Sequence, residues 1–238
     1  MKDILKVIKE RQSARVLFDP ERPISKEDLH QILEAARWAP TAHNMQNFEI
    51  IVVDDKKLLE SLSNIRHEID ETFIRENYQQ LSFSEEELKK KRVGVLGTMF
   101  PLSWRTPGVK PDPHEERAHS FLGGPVQKSA VLLIVLYNPN KRAPASEGDF
   151  LGIMSLGCVM ENMWLAAESL GIGFQILSAL SSHSIEKEVK QLLGIPDDLK
   201  IAFASRLGYP QSAPNYLRVR REIDGFTHHN NFGNKDLD

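Results

Sequence analysis

The sequence has little cysteine and no long apolar run, and both absences restrict what the protein can be. A single cysteine, Cys158, has no partner for an intramolecular disulfide. Its place inside an apolar helical pattern predicts a buried thiol. The longest strongly apolar run, residues 130–137, is too short to span a bilayer, and the charged N-terminus has no hydrophobic signal core. We therefore expect a cytoplasmic protein without a membrane partner.

An excess of basic charge is also absent. The formal net charge is −3 and the isoelectric point is near 6.3, whereas a nucleic-acid surface normally needs a basic stripe. With 238 residues, of which 41% are hydrophobic, the chain can bury a substantial core. These properties predict a globular protein that does not bind nucleic acid.

The arginines that are present form clusters near the two ends of the chain. Arg11, Ser13 and Arg15 follow a short N-terminal helical pattern, and Arg218 and Arg220 lie close to the C-terminus. A guanidinium group fits phosphate oxygens bidentately, and a hydroxyl adds a further donor. The two clusters suggest that both ends hold one anion, such as a phosphate monoester. Ordinary solvated surface is the alternative that charge patterning leaves open.

Helical and strand patterns alternate along the rest of the chain. Ser25 is expected to cap a helix with Asp28 at its third position, and Ser184 to cap a later one. A long helix at about 149–170 is apolar nearly all round, so it should lie in the core or at a subunit interface, with the core helix of a monomer left open. Buried strands are expected at 48–53, 130–137, 173–177 and 200–207.

The middle of the chain, at about 64–125, has a looser pattern. It mixes a charged helical stretch with Gly, Pro and aromatic residues, a composition that suits a flap or lid. Phe100, Trp104 and Arg105 are candidate substrate contacts there. Ordinary packing of a loop is the alternative interpretation of these three residues.

Four motifs, in order along the chain, carry a resemblance to a known family. Residues 10–15 (ERQSAR), 39–48 (APTAHNMQNF), 170–173 (LGIG) and the ending from 207–210 (LGYP) to Arg220 resemble the nitroreductase family of FMN enzymes. The long helix at about 149–170 and the strand at 173–177 also follow the family's order. The resemblance implies an α+β fold with a central, mainly antiparallel sheet flanked by helices. It also implies one domain over 1–238, with a lid insertion at about 64–125, a C-terminal extension at about 209–238, and an intertwined homodimer with FMN at its interface.

The same resemblance assigns roles by matching position. Arg15 would lie near the pyrimidine edge of the flavin, where a cation stabilises the anionic reduced ring. The phosphate and ribityl chain of FMN would be held by Arg11, Ser13, Arg218 and Arg220, with Gln12 alongside. The segment that would reach the cofactor of the other subunit is Thr41, Ala42, His43 and Asn44, with Gln46 near it. The strand end that would lie against the ring near N5 is Ile176, Leu177 and Ser178.

The implied activity is that of an oxidoreductase, a flavoprotein that moves hydride from NAD(P)H by way of FMN to an electron-poor acceptor in a ping-pong mechanism. The acceptor would be a nitroaromatic, a quinone or a related metabolite, and no side-chain acid or base is required. Two departures leave substrate and reductant preference open. The frequent Gln-Pro-Trp is here Gln46-Asn47-Phe48, and the Glu-Gly pair of some members is Ser178-Ala179.

The same residues leave several different functions open. A flavin-binding or storage protein without turnover would keep the same pocket, and a reductive dehalogenase or an oxygen-using enzyme would keep the same fold. The histidines and carboxylates between Asp112 and His119 match no standard zinc spacing, so no metal is expected. Cys158 has no evident group to stabilise a thiolate, and the Gly-x-Gly at Gly171 precedes a strand, so neither indicates a catalytic thiol or a dinucleotide fingerprint.

Overall fold

A computed structural model describes residues 3–65, 90, 123–213, 220 and 222–235. Contacts divide the chain into two compact units. The first comprises Met1–Glu68 with Glu116–Pro214, and the second Ile69–Glu115 with Asn215–Asp238. The first unit contains the sheet and nearly all the described helices.

Three helices of the first unit precede residue 66, and each begins at a side-chain cap. Helix α1 is Ile4–Glu10, α2 is Lys26–Arg37 and α3 is Lys56–Ser63. The Ser25 hydroxyl accepts from the Asp28 amide at 2.9 Å, as the sequence predicted. The Asp55 carboxylate accepts from the Leu58 amide at 2.9 Å. This bond caps α3 directly after the first strand.

Among the described residues, four strands form one sheet. They are β1 (Glu49–Val53), β2 (Val131–Tyr137), β3 (Gly173–Ile176) and β4 (Lys200–Gly208), in the order β1-β2-β4-β3. Every neighbouring pair is antiparallel. The expected α+β fold with a mainly antiparallel sheet is therefore confirmed within the described residues.

The other described helices of the first unit are α4 (Gly123–Gln127), α5 (Phe150–Ser169) and α6 (His183–Leu193). The expected cap of α6 at Ser184 is wrong, because the helix begins at His183 and its N-cap is Ser182. The Ser182 backbone is extended, and its carbonyl oxygen accepts from the Glu186 amide at 2.8 Å. Ser181, Ser182 and Ser184 are all suitable N-cap residues, and the sequence alone does not show which of them caps the helix.

Side chains of β2 alternate between two cores. Val131, Leu133 and Val135 pack with α2 and α5, whereas Leu132 and Ile134 pack with α3, α4 and α6. Because both faces are covered, β2 is an unbroken apolar run. The sheet is thus a rigid support for the segments at its edges.

Helix α5 is buried along one side only. Leu156, Val159 and Met163 are in the core, but Phe150 and Ile153 are 68% and 61% exposed. Among the described residues α5 is also the one helix whose length and composition would suit a membrane span, with 22% of its apolar window buried. The expectation from the sequence concerned the strongly apolar run at 130–137, which forms β2. Cys158, also on α5, is half-buried rather than fully buried.

In the second unit, the described residues include a short 3-10 turn at Ile223–Gly225 and a compact tail. His228 stacks on Phe232 with ring centres 4.2 Å apart and accepts the Gly233 amide on Nδ1 at 2.8 Å.

Candidate functional site

The arginine-bearing segment 11–18 runs along the free edge of β3. Ser13 forms a parallel bridge with Phe174, and the Ala14 amide donates to the Phe174 carbonyl oxygen at 2.9 Å. Farther on, Phe18 bridges to Pro210 in the antiparallel sense. The sheet therefore fixes the backbone that carries Arg11, Ser13 and Arg15.

Two glycines allow this close approach. A Cβ atom at Gly173 would lie 2.8 Å from the Ala14 Cβ and 2.8 Å from the Phe18 ring. At Gly208 it would lie 2.5 Å from the Phe18 ring. Segment 11–18 can pack this closely against the sheet only because both positions are glycine.

Arg11 is held between an acid and an aromatic ring, both on α5. Its Nε atom lies 3.2 Å from Glu161 Oε1, and its guanidinium carbon lies 4.4 Å from the centre of the Trp164 ring. The Trp164 indole donates to the Gln12 carbonyl oxygen at 3.4 Å. Arg11 is thus oriented before any ligand arrives, and its side chain is 22% exposed, so it remains reachable.

A buried cation lies beneath the same segment. Arg206 on β4 is 4% exposed and pairs in register with Gln175 on β3. Its Nε donates to Gln175 Oε1 at 2.6 Å, and its Nη2 donates to the carbonyl oxygens of Ala14 and Val16 at 3.0 and 2.7 Å. Sequence reasoning missed both residues. The signal that could have found them is a charged residue in the apolar run of β4 and an amide residue in the apolar run of β3.

The segment Thr41–Gln46 has an unusual backbone. His43, Asn44 and Gln46 all have positive φ, of 52°, 53° and 46°. Such values are uncommon outside glycine and need support from the surroundings. Two hydrogen bonds support this backbone. The Gln46 amide donates to Thr41 Oγ1 at 3.1 Å, and the Ala42 amide donates to Ser155 Oγ of α5 at 3.0 Å.

Asn47 fixes the far end of this segment. Its side-chain amide donates to the carbonyl oxygens of Asn138 and Lys141 at 2.9 and 3.1 Å, and its Oδ1 accepts from the Asn138 amide at 3.1 Å. The residue that departs from Gln-Pro-Trp therefore joins the segment to the β2–α5 connection. The sequence shows the departure but does not predict this role.

The third predicted segment lies where β3 ends. Leu177 is buried, and its amide donates to the Ala204 carbonyl oxygen at 2.8 Å. Ile176 is half-buried and Ser178, which begins a 3-10 turn at Ser178–Ser181, is exposed. Backbone groups at this strand end are held by β4.

A model of the "Nitroreductase family" matches residues 8–209. The chain belongs to the nitroreductase family. The prediction made from the four motifs is confirmed, and the match covers the segments 11–18, 41–47 and 176–178 described above.

Individual relatives agree with this nitroreductase membership. A putative NADH dehydrogenase/NAD(P)H nitroreductase of Archaeoglobus fulgidus is 26% identical over 219 residues, 92% of both chains. An iodotyrosine deiodinase of Thermotoga neapolitana is 26% identical over 219 residues, 92% of this chain and 95% of its own. The crystal structure of a nitroreductase with bound FMN from Bacteroides fragilis has a TM-score of 0.60 at 22% identity, covering 95% of this chain and 98% of that one. This last similarity shows the shared fold.

The structure does not test the predicted roles of several residues of this nitroreductase. Arg218, Phe100, Trp104 and Arg105 are outside the described residues, as are the carboxylates and histidines between residues 112 and 119. Arg220 is described and exposed, in the second unit. The joint hold on one anion by both chain ends therefore stays a prediction. Within the described ranges, no group of three or more potential metal ligands occurs.

Proposed function

We propose that this protein is an FMN-dependent NAD(P)H oxidoreductase acting on an electron-poor organic acceptor. The observation that carries the proposal is segment 11–15, where two guanidinium groups and a hydroxyl lie within five residues on a backbone bonded to β3. Family membership and the names of the relatives support the same activity.

The donor set of this segment fits the phosphate end of FMN. A phosphate monoester needs cations and hydrogen-bond donors held in fixed directions, and charge-assisted hydrogen bonds to it are stronger than neutral ones. Arg11 and Ser13 would bind the phosphate and ribityl chain together with Arg218 and Arg220, and Gln12 would lie alongside. The ion pair with Glu161 and the ring contact with Trp164 fix the orientation of the Arg11 side chain.

The remaining predicted residues would bind and orient the ring. FMN, when bound, supplies the two-electron chemistry that connects NAD(P)H with the acceptor. Arg15 would provide a cation near the pyrimidine edge of the flavin and would favour negative charge there. Backbone groups at Ile176, Leu177 and Ser178 would lie against the ring, and the flavin chemistry would need no side-chain nucleophile.

The functional form is proposed to be a homodimer. Phe150, Ile153 and Met154 form an exposed apolar strip on α5, with exposed fractions of 68%, 61% and 52%. Exposed apolar surface of this kind indicates an interface. The strained segment Thr41, Ala42, His43, Asn44 and Gln46 would then reach the cofactor of the second subunit, and support from Ser155 would preserve its shape.

The acceptor is proposed to be a small nitroaromatic, quinone or related metabolite, chosen by the lid at about 64–125 with Phe100, Trp104 and Arg105. A reductive dehalogenase is a second candidate, supported by the relative named iodotyrosine deiodinase, which aligns with 92% of this chain. A flavin-binding or storage protein, or an oxygen-using enzyme, would keep the same FMN site. We expect the protein to act in the cytoplasm.

Anaerobic stopped-flow absorbance tests the activity. The purified protein is mixed with NADH or NADPH, and loss of the flavin absorption band at catalytic rates is the expected result. Colour that persists with both reductants would contradict the enzyme and favour a binding protein. Addition of a nitroaromatic, a quinone or a halotyrosine to the reduced protein then separates the acceptor classes, with halide release as the mark of dehalogenation.

A further inference from the structure

Arg206 is a buried charged group to which the proposed reaction gives no role. It lies within β4, between Ser205 and Leu207, which are both fully buried. Burying a guanidinium group is costly unless it is well hydrogen-bonded. An apolar residue would satisfy the strand pattern at this position, so packing alone does not account for the arginine.

The partners of Arg206 place it around one residue. The carbonyl oxygens that accept from its Nη2 belong to Ala14 and Val16, the two neighbours of Arg15 in the chain. One planar donor group thereby holds the peptide group that precedes Arg15 and the peptide group that follows Val16. The guanidinium also lies 4.2 Å from the centre of the Phe18 ring, near the end of the same segment.

The other end of Arg206 is anchored to the sheet. Its Nε donates to Gln175 Oε1 at 2.6 Å, and Gln175 is 3% exposed on the neighbouring strand, directly opposite in register. Gln175 follows Phe174, whose carbonyl oxygen accepts the Ala14 amide. Arg206 and Gln175 thus form a buried polar bridge from β4 and β3 to the Ala14 and Val16 carbonyl oxygens, one on either side of Arg15 in the chain.

We propose that Arg206 is a positioning residue that sets the direction of Arg15 toward the bound cofactor, with Gln175 as its anchor. This inference rests on the proposed function, because it takes Arg15 to be the cation at the pyrimidine edge of FMN. Arg206 acts through the Ala14 and Val16 carbonyl groups and contacts neither substrate nor cofactor.

The first measurement does not need FMN. Hydrogen exchange of the amides of residues 13–16 is compared in apoprotein of the wild type, Arg206→Met and Arg206→Lys. Arg206→Met is expected to speed exchange of the Ala14 amide at least tenfold, and Arg206→Lys to restore part of the protection because it keeps a charged donor. Leu62→Ala removes a fully buried side chain from the core that α3 shares with Leu132 and Ile134 of β2, and it is the control that lowers stability without this local effect. Unchanged exchange in Arg206→Met would overturn the proposal.

The second measurement is the two-electron midpoint potential of bound FMN. Arg206→Met is expected to weaken the preference for reduced over oxidised FMN about tenfold, which for a two-electron couple lowers the potential by about 30 mV. Arg15→Met should give a similar shift, and the double variant should shift no further, since Arg206 acts through Arg15. Leu62→Ala should leave the potential unchanged.

Additive shifts in the double variant, or a wild-type potential in Arg206→Met, would overturn the positioning role. Should Arg206→Met fail to fold, Gln175→Leu and Arg206→Lys carry the same tests, with smaller expected shifts in the same direction. A wild-type protein that binds no FMN would refute the proposed function instead, and the exchange experiment would still decide whether Arg206 holds the segment.

Discussion

The guanidinium carbon of Arg11 lies 4.4 Å from the centre of the Trp164 ring, and this pair connects the N-terminal segment to α5. The same indole stacks on Phe174 of β3 at 5.4 Å and donates to the Gln12 carbonyl oxygen. One aromatic side chain therefore contacts the helix, the strand and the proposed phosphate-binding segment.

Replacement of that ring should weaken cofactor binding. Trp164→Leu keeps an apolar side chain but removes the cation–π contact, which is worth about 0.5–2 kcal/mol at partly buried sites. We expect FMN affinity, measured by fluorescence titration of apoprotein, to fall by about that amount. Trp38→Leu is the matched control, because Trp38 also lies near an arginine, Arg37, but is 72% exposed. Equal losses in both variants would contradict a specific role for Trp164.

Phe18 packs so closely against Gly208 that a side chain at position 208 should destabilise the fold. An added Cβ would lie 2.5–2.7 Å from three atoms of Phe18, including its own Cβ, so the two backbones must separate. We expect Gly208→Ala to lower the free energy of unfolding by about 1–3 kcal/mol, the usual cost of overpacking. Urea denaturation measures it.

Gly124→Ala provides the comparison for this variant. A Cβ there meets no atom within 4 Å, and the residue is within helix α4. Alanine at that position should be neutral or stabilising by up to about 1 kcal/mol. A Gly208→Ala protein as stable as Gly124→Ala would refute the close approach.

The support that Ser155 gives to the strained segment should be measurable. Its hydroxyl accepts from the Ala42 amide at 3.0 Å and donates to the Leu151 carbonyl oxygen at 2.7 Å. Ser155→Ala is expected to lower the free energy of unfolding by about 0.5–1.5 kcal/mol, since the Ala42 amide loses its acceptor. Ser169→Ala on the same helix removes only a bond to a carbonyl oxygen of its own helix, that of Ala166. Chemical denaturation that finds the two variants equally stable would count against the role of Ser155.

Tyr209 should make stability depend on pH in the alkaline range. Burial, and then the hydrogen bond from its hydroxyl to Asp28 at 3.1 Å, raise the pKa of Tyr209 above its ordinary value. Above pH of about 10 the unfolded chain loses this proton while the folded protein keeps it, so stability is fully present below that pH and falls above it. Urea denaturation at pH 8 and pH 10.5 should show a steeper loss for the wild type than for Tyr209→Phe. Identical slopes would contradict the raised pKa.

Local signals in the sequence predicted most of the fold. The Ser25 cap needs only residues within one turn, and the run from Val131 to Tyr137 needs only its own apolar side chains. Such short-range patterns found the four described strands and the helices α5 and α6 to within one residue. Helix α4 was not predicted. The Ser182 cap was missed because neighbouring serines compete for the same position.

The candidate site was predictable only in part. Arg11, Ser13 and Arg15 stand out in the sequence, and the family motifs assigned them a role. The groups that hold them do not, because Glu161, Trp164 and Arg206 come from distant strands and helices that only the folded chain brings together. Whether Arg218 and Arg220 complete the site remains a prediction.

Isothermal titration of the apoprotein with FMN and with riboflavin tests the central claim most directly, because the two ligands differ only in the phosphate. The account predicts that the wild type binds FMN at least tenfold more tightly than riboflavin. It also predicts that Arg11→Ala, like Arg218→Ala, loses about 1.5–3 kcal/mol of FMN binding, the range for a charge-assisted hydrogen bond, with riboflavin affinity unchanged. Equal affinity of the wild type for the two ligands, or unchanged FMN affinity in Arg11→Ala, would contradict it.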